Sequence, residues 1–507
     1  MKNIFKKYII VLVALFFSCD DFLTEKPVTF VSPATFWQSE EDARTAVNGI
    51  YNMLTKNRTY KMQGAPALWG ETGTDELVVP GWVGDAVAFY TYTIQPQNNA
   101  VAAMWQEHYT GIARANLVIS RVPQMDDAKI TELQRNRILG QARFLRAFFY
   151  FQMVKMFGSI PLVLTETTGF ADSKPSQAAS AEVFAAIIED LEFAEENLPP
   201  AWPENDKGRA SMGAAKALLG RVYLTMTGSH WNQTDSPRLF QLAADKLKEV
   251  IDMSQYYELL DNYADVFKVD NENNKEMIFS VQFQGPGLDI GSDVGAYMGP
   301  DGDPLDGAGF ADGFTNEQFV LSFHDDDIRL QHNVSWVNFT TGATLTWLPS
   351  FRPWKYHREK GPGYYDNPYH FPLIRYADVL LMYAEALNGA NSTPPTEAYQ
   401  AVNAVRKRAR MTPPSLPDLT GLSKEQFMDS LLQERSWELC WEGLRKDDLI
   451  RTGKLKEYIT ERHSPQAIDG WYGFYPGGNF KEDTHYLLPI PQRERDINPN
   501  LVQNPGY

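Results

Sequence analysis

Two stretches of this chain carry the same arrangement: a pair of helical patterns with small or branched residues where two helices must touch. The first pair runs from Ser211 to Met226 and then from Phe240 to Met253. Its contact positions are Leu219, Gly220 and Tyr223 on one helix and Ala243, Leu247 and Val250 on the other. The second pair runs from Arg375 to Asn388 and from Thr396 to Arg410, with Tyr383, Ala384 and Leu387 facing Ala398, Val402 and Val405. Small side chains let two helix backbones approach closely, and one hairpin cannot bury its own apolar face, so neighbouring hairpins must stack. A chain built this way is predicted to be a stack of helix pairs.

The spacing matches that of tetratricopeptide repeats, with generic helix hairpins as the plainer alternative. A third, degenerate pair is read in Phe144 to Phe157 with Val183 to Leu191, and Lys424 to Leu444 opens a fourth. Further helices are expected over Glu40 to Leu54, Ala102 to Val122, Arg135 to Phe157 and Ala181 to Leu198. Ser39 stands as an N-cap for the first, while Gly158 and Pro199-Pro200 stop the last two. The predicted fold class is therefore mainly α, a tetratricopeptide-like scaffold of about four pairs near 135–200, 211–253, 375–410 and 424–452. Between the two clear pairs lies 261–373, rich in Gly, Pro, Asp and aromatics, with Met277 to Phe283 as a weak strand. An irregular insertion of that length in a compact helical protein points to function, and it is expected to hold a ligand-binding region.

The first residues read as an export signal. Lys2, Lys6 and Lys7 precede an apolar run, Tyr8 to Phe17, too short to span a bilayer. Ser18 precedes Cys19, and a small residue before Cys is what a lipoprotein signal peptidase needs. Phe16 and Phe17 depart from a strict lipobox. Residues 1–18 are thus read as a lipoprotein signal peptide, Cys19 as the lipid anchor, 19–30 as lipidated Cys and tether, and 31–507 as a single domain. Acyl chains contribute ~0.8 kcal/mol per buried methylene, enough for several to hold a protein at a membrane. With Cys19 lipidated, Cys440 is the other cysteine of the chain. Placed in a helical pattern, it reads as a buried packing thiol, which leaves no disulfide and no Cys-built metal site.

A net charge of −17 argues against nucleic acid and against anionic lipid as partners. The chain has no Gly-x-Ser-x-Gly elbow, phosphate loop, His-Glu-x-x-His or dinucleotide fingerprint. Glu434, Arg435, Glu438, Arg445 and Asp448 have helical spacing and are read as a charged network locking the last helices. His324, His332, His357 and His370 are too far apart to share a helical turn, so a metal site on them is not expected. Asp301, Asp303, Asp306 and Asp312 resemble a calcium loop in residue type, but Leu305 and Asp306 occupy positions where an EF-hand needs an oxygen ligand and a Gly. No cofactor and no resident metal are expected, with calcium at that loop as the alternative.

Motifs in a fixed order across nearly the whole length resemble the SusD/RagB family of Bacteroidetes outer-membrane nutrient-binding lipoproteins. They begin with Cys19-Asp20-Asp21-Phe22-Leu23, Phe36-Trp37 and Ala46 to Tyr51, and continue through Phe144-Leu145-Arg146-Ala147 and Phe157 to Leu162. Arg375 to Leu381, Ala384-Glu385-Ala386, Glu434-Arg435, Glu438-Leu439, Glu442-Gly443 and Asp447-Asp448-Leu449 follow, and Leu488 to Pro491 and Gln503 to Tyr507 close the series. The resemblance implies an α-rich fold on four helix pairs beside an irregular ligand region. It implies a SusC-like TonB-dependent barrel as partner, the extracellular face of the outer membrane as location, and glycan capture as the usual task, with peptides in some members.

A sugar site needs an aromatic face for the C–H groups of a pyranose and a few amide, carboxylate or guanidinium partners at its rim, and no nucleophile. The resemblance points to two loop regions. Thr74 to Trp82 supplies Asp75 and Trp82, and the insertion supplies Tyr297, Trp336, Asn338 and Trp347 as ligand-binding candidates; no residue is assigned a catalytic role. Trp82, in a polar loop with no helical face to bury, is the best single candidate, and Trp231 lies outside this set. The sequence therefore predicts a non-enzymatic lipoprotein that binds an oligosaccharide or polysaccharide and delivers it to the barrel. The alternatives are the same architecture binding peptides, and a lipoprotein glycoside hydrolase, which needs paired carboxylates in a cleft.

Overall fold

A computed structural model of the protein describes residues 36–61, 64–79, 84–169, 174–231, 236–285, 287, 290–294, 313–338, 342–344, 352–356, 366–410, 416–461 and 476–507. Helices carry the architecture: α1 (Glu40–Tyr51), α2 (Asn99–Arg121), α3 (Glu132–Phe157), α4 (Ser180–Asn197), α5 (Met212–Met226), α6 (Ser236–Ile251), α7 (Tyr376–Ala390), α8 (Thr396–Arg408), α9 (Lys424–Leu439) and α10 (Arg445–Arg451). Each packs on the next, from α2 on α3 through α6 on α7, and α7 then meets both α8 and α9. The fold is mainly helical, with the tetratricopeptide-like stacking that the repeated spacing predicts. No helix among the described residues is long and apolar enough to cross a membrane.

Local chemistry sets the ends and the contacts. Ser39 accepts from the Asp42 N–H while the Asp42 carboxylate accepts from the Ser39 N–H, a reciprocal cap on α1. A Cβ on Gly220 would lie 2.6 Å from Leu247 Cγ, so the small residue is what lets α5 seat on α6. Helix α3 is buried all round from Phe144 to Phe157, as expected of a helix at the centre of a stack. Its Arg146 is held bidentately by Asp190 of α4 at 2.7 and 2.8 Å, which satisfies a charge that burial would otherwise make costly.

Helix α9 departs from expectation. A single helix to Leu444 was predicted, but α9 stops at Leu439, and Trp441 (φ 64°) and Gly443 (φ 75°) turn the chain before α10. The cause is a π-helical turn at Pro66–Glu71 that packs backbone to backbone against this bend. A Cβ on Gly70 would lie 2.3 Å from the Gly443 carbonyl oxygen. Cys440 is buried as predicted, but it caps the helix end instead of lying within it.

The irregular region is threaded by short strands: β1 (Leu77–Val78), β2 (Met277–Val281), β3 (Phe314–Thr315), β4 (Val334–Ser335), β5 (Arg352–Pro353) and β6 (Phe371–Arg375). They pair antiparallel as β1 with β3, β2 with β6, and β4 with β5. The weak strand read at Met277 is thus real. It is completed by the segment entering α7, which ties both ends of the insertion to the helical stack.

Candidate functional site

The region expected to meet ligand rests on a buried ionic lattice built from α8, α9, β6 and the irregular region. Arg375 donates to Glu276 at 2.7 Å, to Glu438 at 3.1 Å and to Glu442 at 2.6 and 2.8 Å. Arg408 bridges Glu276 (2.6 Å) and Glu438. Arg329 reaches Asp327, Glu434 (2.7 Å) and Glu438 (3.2 Å), Arg406 reaches Glu434 (2.7 Å), and Lys355 reaches Glu442 (2.6 Å). Five cations thus face five carboxylates with every side chain almost fully enclosed. A second set joins Arg435 to Asp378 and Asp448, Arg451 to Glu385 and Asp448, and Arg221 to Asp378. The predicted network around Glu434, Arg435, Glu438, Arg445 and Asp448 is therefore present, and larger than helical spacing indicated. Burial alone would raise the Glu438 carboxyl, yet Arg408, Arg375, Arg329 and Lys355 hold it down at about 2.

Arg445 carries this lattice to the first loop. Its guanidinium donates to both Asp75 oxygens at 2.8 and 2.7 Å and lies 3.3 Å from Glu76. Ser436 of α9 donates to Glu76 (2.6 Å), and the Gly443 N–H donates to Glu71 (2.6 Å). Asn316 donates its backbone N–H to the Glu76 carbonyl (2.8 Å) and its side-chain amide to the Asp75 carbonyl (2.7 Å). These bonds extend the β1–β3 pairing. From there Arg352 of β5 stacks on Phe314 of β3 at 3.6 Å, β5 pairs with β4, and Trp336 follows β4. The structure so joins the described parts of the two expected loop regions, around 74–79 and 313–336.

Individual candidates fare differently. Asp75, expected at a ligand rim, is 4% exposed and faces Arg445, because a buried guanidinium requires a carboxylate partner. Thr74 to Val79 are buried with it. Trp336 is half-buried and packs against the core. Trp82, Tyr297, Trp347, the Asn338 side chain and Cys19 lie outside the described residues, as do Asp301, Asp303, Asp306, Asp312 and His357. Trp231 is buried edge-on against Phe184 at 5.2 Å, a packing residue. Among the described residues no group of three or more His, Cys, Asp or Glu is placed to hold a metal ion. His370 instead lies 3.1 Å from Glu272, and His332 stacks on Phe267.

Sequence reasoning missed Glu71 and Glu76. Burial pushes the Glu71 carboxyl up to about 8, with the Gly443 N–H opposing, and burial and then repulsion from Glu71 push Glu76 well above its ordinary value. One oxygen of each finds no hydrogen-bond partner among the described residues, as suits a protonated carboxyl. Raised carboxyls suggest acid–base chemistry, but these are 1% and 0% exposed, beyond the reach of a substrate. Their consequence is for stability. Between about 4.5 and about 8 the unfolded chain has ionised Glu71 while the fold keeps it protonated, so this stability is full below 4.5 and lost as pH rises through 8. Unfolding of Glu71→Gln at pH 5 and pH 7 is expected to show a smaller fall in stability with pH than the parent; an unchanged fall would remove this assignment.

Two family models match the chain, the SusD family over residues 332–507 and a family described as starch-binding and associating with the outer membrane over residues 21–224. A SusD-like protein of Formosa agariphila is 29% identical, with 97% of each chain covered. A solved SusD homologue of Bacteroides thetaiotaomicron superposes with a TM-score of 0.82 at 25% identity, covering 94% of this chain and 99% of that one. A laminarin-binding SusD-like protein superposes with a TM-score of 0.76 at 27% identity, covering 93% of this chain and all (100%) of the other. The chain belongs to the SusD/RagB family.

Proposed function

We propose that this protein is an outer-membrane lipoprotein, anchored through Cys19 and facing the cell exterior, that captures an oligosaccharide or polysaccharide without cleaving it. The carrying observation is the end-to-end likeness to a laminarin-binding protein, in fold and at 27% identity. The joining of the described parts of the two loop regions over the buried ionic lattice supports it. Such a support pre-organises a binding face, so that less ordering entropy opposes capture. Aromatic faces of Trp82 and Trp336, with Tyr297 and Trp347, would meet the sugar rings, and the Asn338 amide would meet hydroxyls at the rim. The carboxylates of the lattice are each committed to a guanidinium or ammonium group and are shut away from solvent, an arrangement that suits rigidity better than hydrolysis. The reading needs no cofactor. Captured glycan would pass to a SusC-like TonB-dependent barrel, for which this chain serves as the lid.

Affinity electrophoresis in gels containing laminarin, starch or other soluble glycans tests this reading. One glycan is expected to retard the parent protein, with retardation weakened at least tenfold in Trp82→Ala or Trp336→Ala. Loss of that order corresponds to about 1.4 kcal/mol of contact energy. Retardation by no glycan, or by one glycan equally in the parent and both variants, would count against the proposed site.

A further inference from the structure

A second pocket, of about 190 Å³, opens between α1, the start of α3 and the loop after Trp202. It shares no residue with the loop-region site. Its apolar floor is Val47 and Ile138, and the Trp202 ring forms one wall. The indole N–H donates to the Ala210 carbonyl at 2.8 Å, which fixes the ring's orientation. Three guanidinium groups, Arg44, Arg137 and Arg209, line the same small space. Arg44 and Arg209 both commit to one carboxylate, Asp206, at 3.0 and 2.7 Å. Arg137 has no carboxylate partner among the described residues; its guanidinium sits 5.9 Å from the Trp202 ring centroid. Gln134 uses its side-chain oxygen to cap α3 through Thr131, leaving its amide NH2 as a donor, and Glu40 adds an acceptor.

The lining thus sets three guanidinium groups against two carboxylates, Asp206 and Glu40, an excess of positive charge on a chain with a net charge of −17. General solubility does not account for it, because Arg137 is half-buried beside an aromatic face and, although Glu40 and Asp206 line the same pocket, it makes no ion pair among the described residues. An aromatic wall, a planar fork of donors and a few amide and carboxylate groups are the elements that recognise a sugar ring carrying an anion. The volume is below the roughly 300–1,000 Å³ usual for drug-sized ligands and suits one ring. We propose that this pocket binds a single anionic pyranose, with its carboxylate, sulfate or phosphate on Arg137 and its ring against Trp202. The pocket lies where the chain enters α1, so the anionic sugar has two sources: a soluble acidic glycan, or a phosphorylated sugar borne by lipid at the membrane surface.

Calorimetry with the purified full-length chain tests this, using trigalacturonate for the soluble source, vesicles containing lipopolysaccharide for the lipid-borne source, and neutral laminarihexaose as comparison. Trigalacturonate or the vesicles are expected to bind, more weakly as salt rises, with at least a tenfold loss in Arg137→Ala and in Trp202→Ala and a smaller loss in Arg137→Lys. Binding by vesicles alone assigns the lipid source. Thermal unfolding of each variant keeps folding out of the comparison, since Arg137 makes no ion pair among the described residues. Laminarihexaose separates the two sites, because a change in its binding alone bears on the loop-region site. Failure of both anionic probes, or equal binding in parent and variants, would overturn the proposal.

Discussion

Replacing Arg375 by Met is expected to cost the fold about 3–5 kcal/mol, because removing one partner of a buried ionic group leaves the others uncompensated. Arg375 is fully enclosed and is the shared donor for Glu276, Glu438 and Glu442. Without it, Glu442 retains Lys355, Glu276 retains Arg408, and Glu438 retains Arg408 and Arg329, but each keeps one cation fewer in a space that water does not reach. The matching change nearer the surface, Arg44→Met, removes a partly buried pair with Asp206, which keeps Arg209, and is expected to cost about 1 kcal/mol. Urea unfolding of both variants beside the parent measures the contrast. Equal midpoints for Arg375→Met and Arg44→Met would mean that the lattice does not hold the insertion to the stack.

Gly70→Ala is expected to destabilise by about 3 kcal/mol, at the upper end of what overpacking usually costs. The added Cβ would sit 2.3 Å from the Gly443 oxygen, 2.5 Å from its carbonyl carbon and 2.6 Å from its Cα. All three are backbone atoms, so no rotamer change relieves the contact. The π-helical turn must then move away from the bend between α9 and α10, and Glu71, Asp75 and Glu76 move with it. Glycan affinity is therefore expected to fall together with stability. Gly49 gives the control: it lies in α1, its Cβ would meet nothing within 4 Å, and Gly49→Ala is expected to gain up to about 1 kcal/mol. A Gly70→Ala protein as stable as the parent would show that the turn and the bend are not in close contact.

Much of the helical stack was legible because its signals are local. Leu219, Gly220 and Tyr223 encode a contact in their spacing, and the reciprocal cap at Ser39 and Asp42 lies within one turn. The break after Leu439 was not legible, since it depends on Gly70, hundreds of residues earlier, arriving against Gly443. Asp75 was misplaced for the same reason. A carboxylate in a polar loop reads as exposed until Arg445 is known to lie beneath it. The charged run from Glu434 to Asp448 announced a network, but its partners Arg329, Arg375 and Arg408 come from three separate segments and only tertiary structure joins them. Glu71 carried no signal at all, because a raised carboxyl reflects enclosure, and enclosure has no local pattern.

On the proposed reading, the two loop regions form one glycan-binding face on the ionic lattice. Amide hydrogen exchange of the full-length chain with and without its bound glycan tests this most directly, with the ligand recovered and sized afterwards. Added protection is expected in the segments around residues 74–82, 313–316 and 334–338, with glycan recovered at its original length. Protection confined to the pocket near Arg137 and Trp202, or recovery of shortened glycan, would contradict it.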